Sequence, residues 1–177
     1  MLPSRPRDAR VVLIGMMGSG KSSVGRALAG ATGWEFVDND ALVERATGRT
    51  ARELLAERGE DAMRDAESAA LHAGLSLPPP VIVAVAAGTV LDPDDRARLA
   101  AEEPVVWLYA PASVLAARAV GSSHRPWLDD DPEAWFERTI EERRPLYEAV
   151  ADLVVDTAVT SPDGVVEVVL GMLSAGG

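Results

Sequence analysis

The sequence predicts an α/β fold, a doubly wound, five-stranded parallel sheet with helices on both faces. Three observations predict it. Five short apolar runs lack period-two alternation, as expected when a parallel sheet is covered on both sides. Helical patterns separate those runs, and alternating strand and helix is the signature of a wound sheet. A glycine-rich segment, Gly15–Ser22, joins the first run to the first helix.

The strands are expected at Val11–Ile14, Glu35–Val37, Val81–Val85, Val105–Tyr109 and Leu153–Val155. Lys21–Ala31 reads as the first helix, stopping near Gly33. Thr50–Arg58 and Glu60–Ala73 follow, with Gly59 between them. Asp92-Pro93, Asp131-Pro132 and Ser161-Pro162 each put a capping side chain before a proline at the first helical position. Pro111 opens a further helix, and Pro145 is expected to kink or end the helix that carries Arg143. Pro78-Pro79-Pro80 is a stiff lead into the third strand. Residues 1–9 read as a disordered lead and 10–177 as one domain, with a substrate-binding region at about 38–75 and a lid at about 120–132.

Net charge is -11 and Cys is absent. No basic face is available to neutralise phosphates, so a nucleic-acid partner is not expected. Disulfides and cysteine metal sites are excluded. The longest apolar runs, such as Val81–Ala87, are too short to span a bilayer, so the chain is expected to be cytoplasmic and without a membrane partner. A monomer is expected, although the sequence does not itself give the oligomeric state.

Gly15-Met16-Met17-Gly18-Ser19-Gly20-Lys21-Ser22 fits the phosphate-binding pattern G-x-x-x-x-G-K-[ST] at every specified position. The fold is therefore expected to be a P-loop NTPase-type three-layer fold. The glycines let backbone N–H groups turn toward phosphate oxygens, and the helix N-terminus adds a favourable dipole. Gly15, Gly18, Ser19, Gly20, Lys21, Ser22 and Ser23 are the nucleotide-binding candidates. Lys21 would reach the β and γ phosphates, and Ser22 would help hold Mg²⁺, with ATP as co-substrate. Lys21 is also the only lysine among 17 basic residues. A compact ammonium is kept at the one position where a planar guanidinium is not equivalent.

Ligands of wound sheets bind beyond the carboxyl ends of the strands. That edge collects the P-loop, Asp38-Asn39-Asp40 after the second strand and Ala86-Ala87-Gly88 after the third. If the backbone stays extended past the second strand, Asp38 and Asp40 share a face. One carboxylate would then act through Mg²⁺ and the other on an acceptor hydroxyl. The alternative is a solvated pair, one of them a helix cap. Spacing alone does not choose among the arginines.

Beyond the P-loop, the chain carries Phe36-Val37-Asp38-Asn39-Asp40, Gly59-Glu60-Asp61-Ala62-Met63-Arg64, Arg125-Pro126-Trp127-Leu128, Arg143-Arg144-Pro145-Leu146-Tyr147 and Val154-Val155-Asp156-Thr157. In this order and spacing it resembles shikimate kinase, a small P-loop kinase related to the nucleoside monophosphate kinases. The resemblance implies ATP-dependent phosphorylation of the 3-hydroxyl of shikimate, within aromatic amino-acid biosynthesis. It also implies that Asp40 orients the acceptor hydroxyl and that Arg64 and Arg143 grip the substrate carboxylate. Arg125 would stabilise the transferring phosphoryl group from a lid, and Arg118 would lie against adenine. Asp38 would support Mg²⁺ with Ser22.

One departure bears on the acceptor. Where the family has three consecutive glycines, this chain has Ala86-Ala87-Gly88. Either the two methyls pack harmlessly, with Ala87 and Gly88 still presenting backbone to the substrate, or they change what is bound. The alternatives to shikimate are another ring polyol acid or a cyclitol, or a nucleotide-binding paralogue without transferase activity. Trp127 also stands where the family has a smaller aliphatic residue.

Overall fold

The computed structural model describes residues 9–120 and 131–175. The strands are β1 (Arg10–Ile14), β2 (Glu35–Asp38), β3 (Val81–Ala84), β4 (Val105–Tyr109) and β5 (Leu153–Asp156). They form one parallel sheet in the order β2-β3-β1-β4-β5. The helices are α1 (Lys21–Thr32), α2 (Asn39–Thr47), α3 (Ala51–Arg58), α4 (Glu60–Leu75), α5 (Pro93–Leu99), α6 (Ala112–Val120), α7 (Pro132–Glu148) and α8 (Pro162–Ala175). Ala9 is buried at the start of the sheet, and its carbonyl accepts from the Val81 amide at 3.2 Å.

The unalternating strands are buried on both faces. Val12, Ile14, Val83, Val105 and Trp107 face Leu71, Leu115, Phe136 and Tyr147 on one side. Val11, Leu13, Ile82, Val106 and Leu108 face Val24 and Leu28 of α1 and Val165 and Val169 of α8 on the other. Fully burying Phe136 beneath α7 contributes about 2 kcal/mol, which helps fix the helix that carries Arg143. No helix among the described residues is long and apolar enough to cross a membrane.

The capping expectations are met by side chains. Asp92 accepts from the amides of Asp94 and Asp95, Asp131 from Ala134, and Ser161 Oγ from Gly164. Thr50 and Glu53 form a reciprocal capping box at α3.

One expectation is narrowed and one is corrected. Of the two outcomes expected at Pro145, a kink or an end, the end does not occur, for α7 continues to Glu148. Buried Tyr147, stacked on Trp107 with ring centroids 5.3 Å apart, anchors the final turn against the sheet. The chain also does not stay extended past β2. Helix α2 begins at Asn39, so Asp38 and Asp40 are not an i, i+2 pair on one strand face.

Candidate active site

β1 ends at Ile14 and the chain turns at once against β4. A side chain on Gly15 would meet the Leu108 carbonyl oxygen at 2.4 Å, so only glycine lets the loop pass. The Ser19 amide donates to the Met16 carbonyl at 3.1 Å and closes the turn. Gly20, in the left-handed region at φ 99°, stands at the N-terminus of α1, where no side chain caps the first amides. Those amides and the helix dipole point into an open cleft suited to phosphate. Lys21 folds back over the loop, its Nζ donating to the carbonyls of Gly15 at 2.8 Å and Met16 at 3.0 Å.

The loop is fastened from below. Thr157 Oγ1 lies 2.8 Å from the Ser19 carbonyl oxygen. Arg118, from α6, donates to the Gly18 carbonyl at 2.9 Å and to the Thr157 carbonyl at 2.8 Å. The Arg118 guanidinium therefore ties the P-loop to the segment after β5, and it lines the cleft beside Thr160 and Pro162.

Asp38 has two partners. Its Oδ1 caps α2 by accepting from the Asp40 amide at 3.2 Å, and its Oδ2 accepts from Ser22 Oγ at 2.5 Å. A helix cap and a contact to the P-loop serine thus coexist in one carboxylate. Ser22 and Asp38 present hard oxygens beside the phosphate-binding loop. That donor set suits Mg²⁺, which takes one or two protein oxygens together with phosphate and water. Among the described residues no group of three acidic or His side chains forms a separate metal cage. Asp40, exposed in the first turn of α2, lines the same cleft.

The far end of the cleft is built by α4, α7 and the segment after β3. Arg64 Nη1 donates to Glu67 Oε2 at 2.9 Å, and Nη2 to Glu60 Oε1 at 3.2 Å. Arg143 Nη1 donates to the Ala87 carbonyl at 3.2 Å. Burial pushes the Glu67 carboxyl above its ordinary range. Arg64 opposes that rise through charge and hydrogen bonding, Asp40 adds to it, and Arg143 opposes it. Ala86 and Ala87 have no positive φ, so their backbone does not require glycine.

The cleft has a volume of about 1320 Å³. It brings Gly18, Ser19, Gly20, Lys21, Ser22 and Ser23 together with Asp38, Asp40, Arg64, Ala87, Gly88, Arg118 and Arg143. Ser19 contributes backbone, since its hydroxyl is wholly buried without a partner. Arg125 and Trp127 lie outside the described residues. Sequence reasoning missed Glu67 and Tyr147. The signal for Glu67 was present as an acid three residues after Arg64 on one helix face. Tyr147 follows Arg143 by one helical turn, and its hydroxyl reaches the Ala87 carbonyl at 2.8 Å.

The cleft thus offers a phosphate loop at one end and two arginines suited to a planar anion at the other. The chain is 40% identical over 166 residues to the shikimate kinase of Paramagnetospirillum magneticum, covering 93% of this chain and 84% of that one. It is 43% identical over 150 residues to that of Halorhodospira halophila, covering 84% of each. A solved structure of shikimate kinase from Acinetobacter baumannii in complex with shikimate superposes with a TM-score of 0.89 at 30% identity, covering 95% of this chain and 94% of that one. The shikimate kinase family model matches residues 17–174, nearly the whole cleft-forming chain, and the protein belongs to that family.

Proposed function

We propose that this protein transfers the γ-phosphoryl group of ATP to the 3-hydroxyl of shikimate. The observation that carries this reading is a single cleft lined by the P-loop, Asp40, Arg64 and Arg143. Family membership supports the same reading.

Lys21 and the α1 amides hold the donor phosphates, and Arg118 lies at the adenine end while keeping the loop in place. Arg64 and Arg143 grip the acceptor carboxylate, which the planar guanidinium fork matches. Asp40 accepts a hydrogen bond from the acceptor hydroxyl, orients it for in-line attack and takes up its proton. Arg125 meets the charge that develops on the transferring group. Ser22 and Asp38 are the residues that would hold Mg²⁺, which when bound neutralises phosphate charge. Cytoplasmic location and a monomeric state accompany this reading and are checked by fractionation and sedimentation.

The test is ADP release with ATP and Mg²⁺ across shikimate, quinate, gluconate, neutral cyclitols and nucleoside monophosphates. Shikimate is expected to have the highest kcat/KM. Preference for another polyol acid would reassign the acceptor, and no turnover despite ATP binding would leave a nucleotide-binding paralogue. Asp40→Asn is expected to lower kcat at least about 100-fold with ATP affinity unchanged, as loss of an acid–base group does.

A further inference from the structure

The Tyr147 ring is almost wholly buried, stacked at 19° on Trp107. Phenylalanine would fill the same space without carrying a polar atom inside. A buried hydroxyl must find a partner, and this one finds the Ala87 carbonyl at 2.8 Å, with Met16 Sδ at 3.7 Å. The same carbonyl accepts from Arg143 Nη1 at 3.2 Å. Tyr147 lies one helical turn beyond Arg143 on α7, so one helix makes two donations to one oxygen of the segment after β3. That segment also carries Gly88, against which Arg64 rests.

We propose that Tyr147 is a positioning residue for the acceptor end of the cleft. Its hydroxyl fixes the Ala87 carbonyl, and through that oxygen it sets the place of the Arg143 guanidinium relative to Arg64. The inference rests on the reading that these two arginines receive the acceptor carboxylate. Burial raises the phenol to about 12, against the pull of Arg143 and Arg64, so the hydroxyl keeps its proton and remains a donor at neutral pH. The ring supplies stability by packing, and the hydroxyl supplies register. Tyr147→Phe separates the two, because it keeps the ring on Trp107 and removes only the donor.

The experiment compares wild type, Tyr147→Phe, Arg143→Gln and the double variant by calorimetric titration with shikimate and, separately, ATP, together with thermal melting. Tyr147→Phe is expected to weaken shikimate binding about five- to tenfold, the effect of one lost hydrogen bond, with ATP affinity within about twofold. In the Arg143→Gln background the same change is expected to cost less than about twofold, since the positioned group is gone. Unchanged shikimate affinity, equal weakening of both ligands, or full additivity in the double variant would each overturn the proposal. If wild type binds no shikimate, the functional reading has failed. The positioning claim is then decided by amide hydrogen exchange in the full chain. Tyr147→Phe should speed exchange at residues 86–89 while β1 and α1 stay protected, and unchanged exchange overturns it.

Discussion

The Arg64 guanidinium occupies the space that a side chain on Gly88 would take. A Cβ built on Gly88 would stand 1.8 Å from Arg64 Nη1 and 2.6 Å from its Cζ. The one glycine of Ala86-Ala87-Gly88 is thus the residue on which Arg64 rests. Gly88→Ala should fold, because the clashing atoms end a flexible side chain. It should raise the KM for shikimate at least about tenfold by displacing Arg64, the loss typical of a charge-assisted contact. A melting temperature near wild type with an unchanged KM would show that Arg64 has another equally good place.

Ala86 and Ala87 make the opposite prediction. Neither has a positive φ, so replacing either by glycine relieves no strain. Ala86→Gly with Ala87→Gly should lower stability by about 0.5–1 kcal/mol per site through the freer unfolded chain. The kcat/KM for shikimate should stay within about twofold, because neither change removes a contact that the site uses. A large gain in shikimate turnover would mean that the two methyls crowd the acceptor.

The contrast between these positions marks what the sequence could disclose. The P-loop was readable because its glycines and Lys21 must recur at fixed spacing for geometric reasons. The strands were readable because burial on both faces leaves no polar alternation. Asp92-Pro93 and Asp131-Pro132 announced helices because cap and proline act locally. The start of α2 was hidden, because it begins directly after β2 and its cap, Asp38, also looked like a site carboxylate. Glu67 and Tyr147 were hidden for a different reason. Tyr147 meets its partner, the Ala87 carbonyl, only through tertiary packing, whereas Glu67 meets Arg64 within one helix and is set apart from other such pairs only by its burial, which tertiary packing supplies. Arg64 and Arg143 were distinguishable from the other arginines only through family resemblance.

Glu67 carries a pH signature. Its carboxyl is held above its ordinary value of 4.5, first by burial. A raised folded-state pKa means that its stabilising contribution is complete below about pH 4.5 and is lost as pH rises through the folded value. Glu67→Gln mimics the protonated form and does not titrate. The difference in melting temperature, variant minus wild type, should therefore become more positive from about pH 4 to pH 7. Shikimate affinity should move the other way, falling about threefold or more because Arg64 loses a charged partner. A difference in melting temperature that stays flat across this range would place Glu67 in a more solvated setting.

Asp38 allows its two tasks to be separated. Asparagine caps helices nearly as well as aspartate, whereas alanine does not. Asp38→Ala should cost about 1 kcal/mol, or about 2–4 °C in melting temperature, and Asp38→Asn much less. Both lose the charge beside Ser22, so both should lower kcat with ATP and Mg²⁺ about 10- to 100-fold. A normal kcat in Asp38→Asn would reduce the residue to a helix cap.

Lys21 provides the last test, because its chemistry is unique in the chain. It is the only side-chain amine, and its Nζ lies on the carbonyls of Gly15 and Met16 at the mouth of the phosphate loop. An amine-directed acylating reagent should therefore modify one side chain, and ATP should slow that modification about tenfold by occupying the same ammonium, as read by peptide mass spectrometry. Lys21→Arg retains the charge that the rest of the sequence uses everywhere. It replaces a compact ammonium by a wider planar group that cannot converge on two backbone oxygens and on phosphate from one point. It should lower kcat at least about 100-fold while leaving shikimate affinity within about twofold, because the acceptor end is built by other helices. Near-normal turnover in Lys21→Arg would mean that charge alone suffices there. The confinement of lysine to this one position would then carry no chemical meaning.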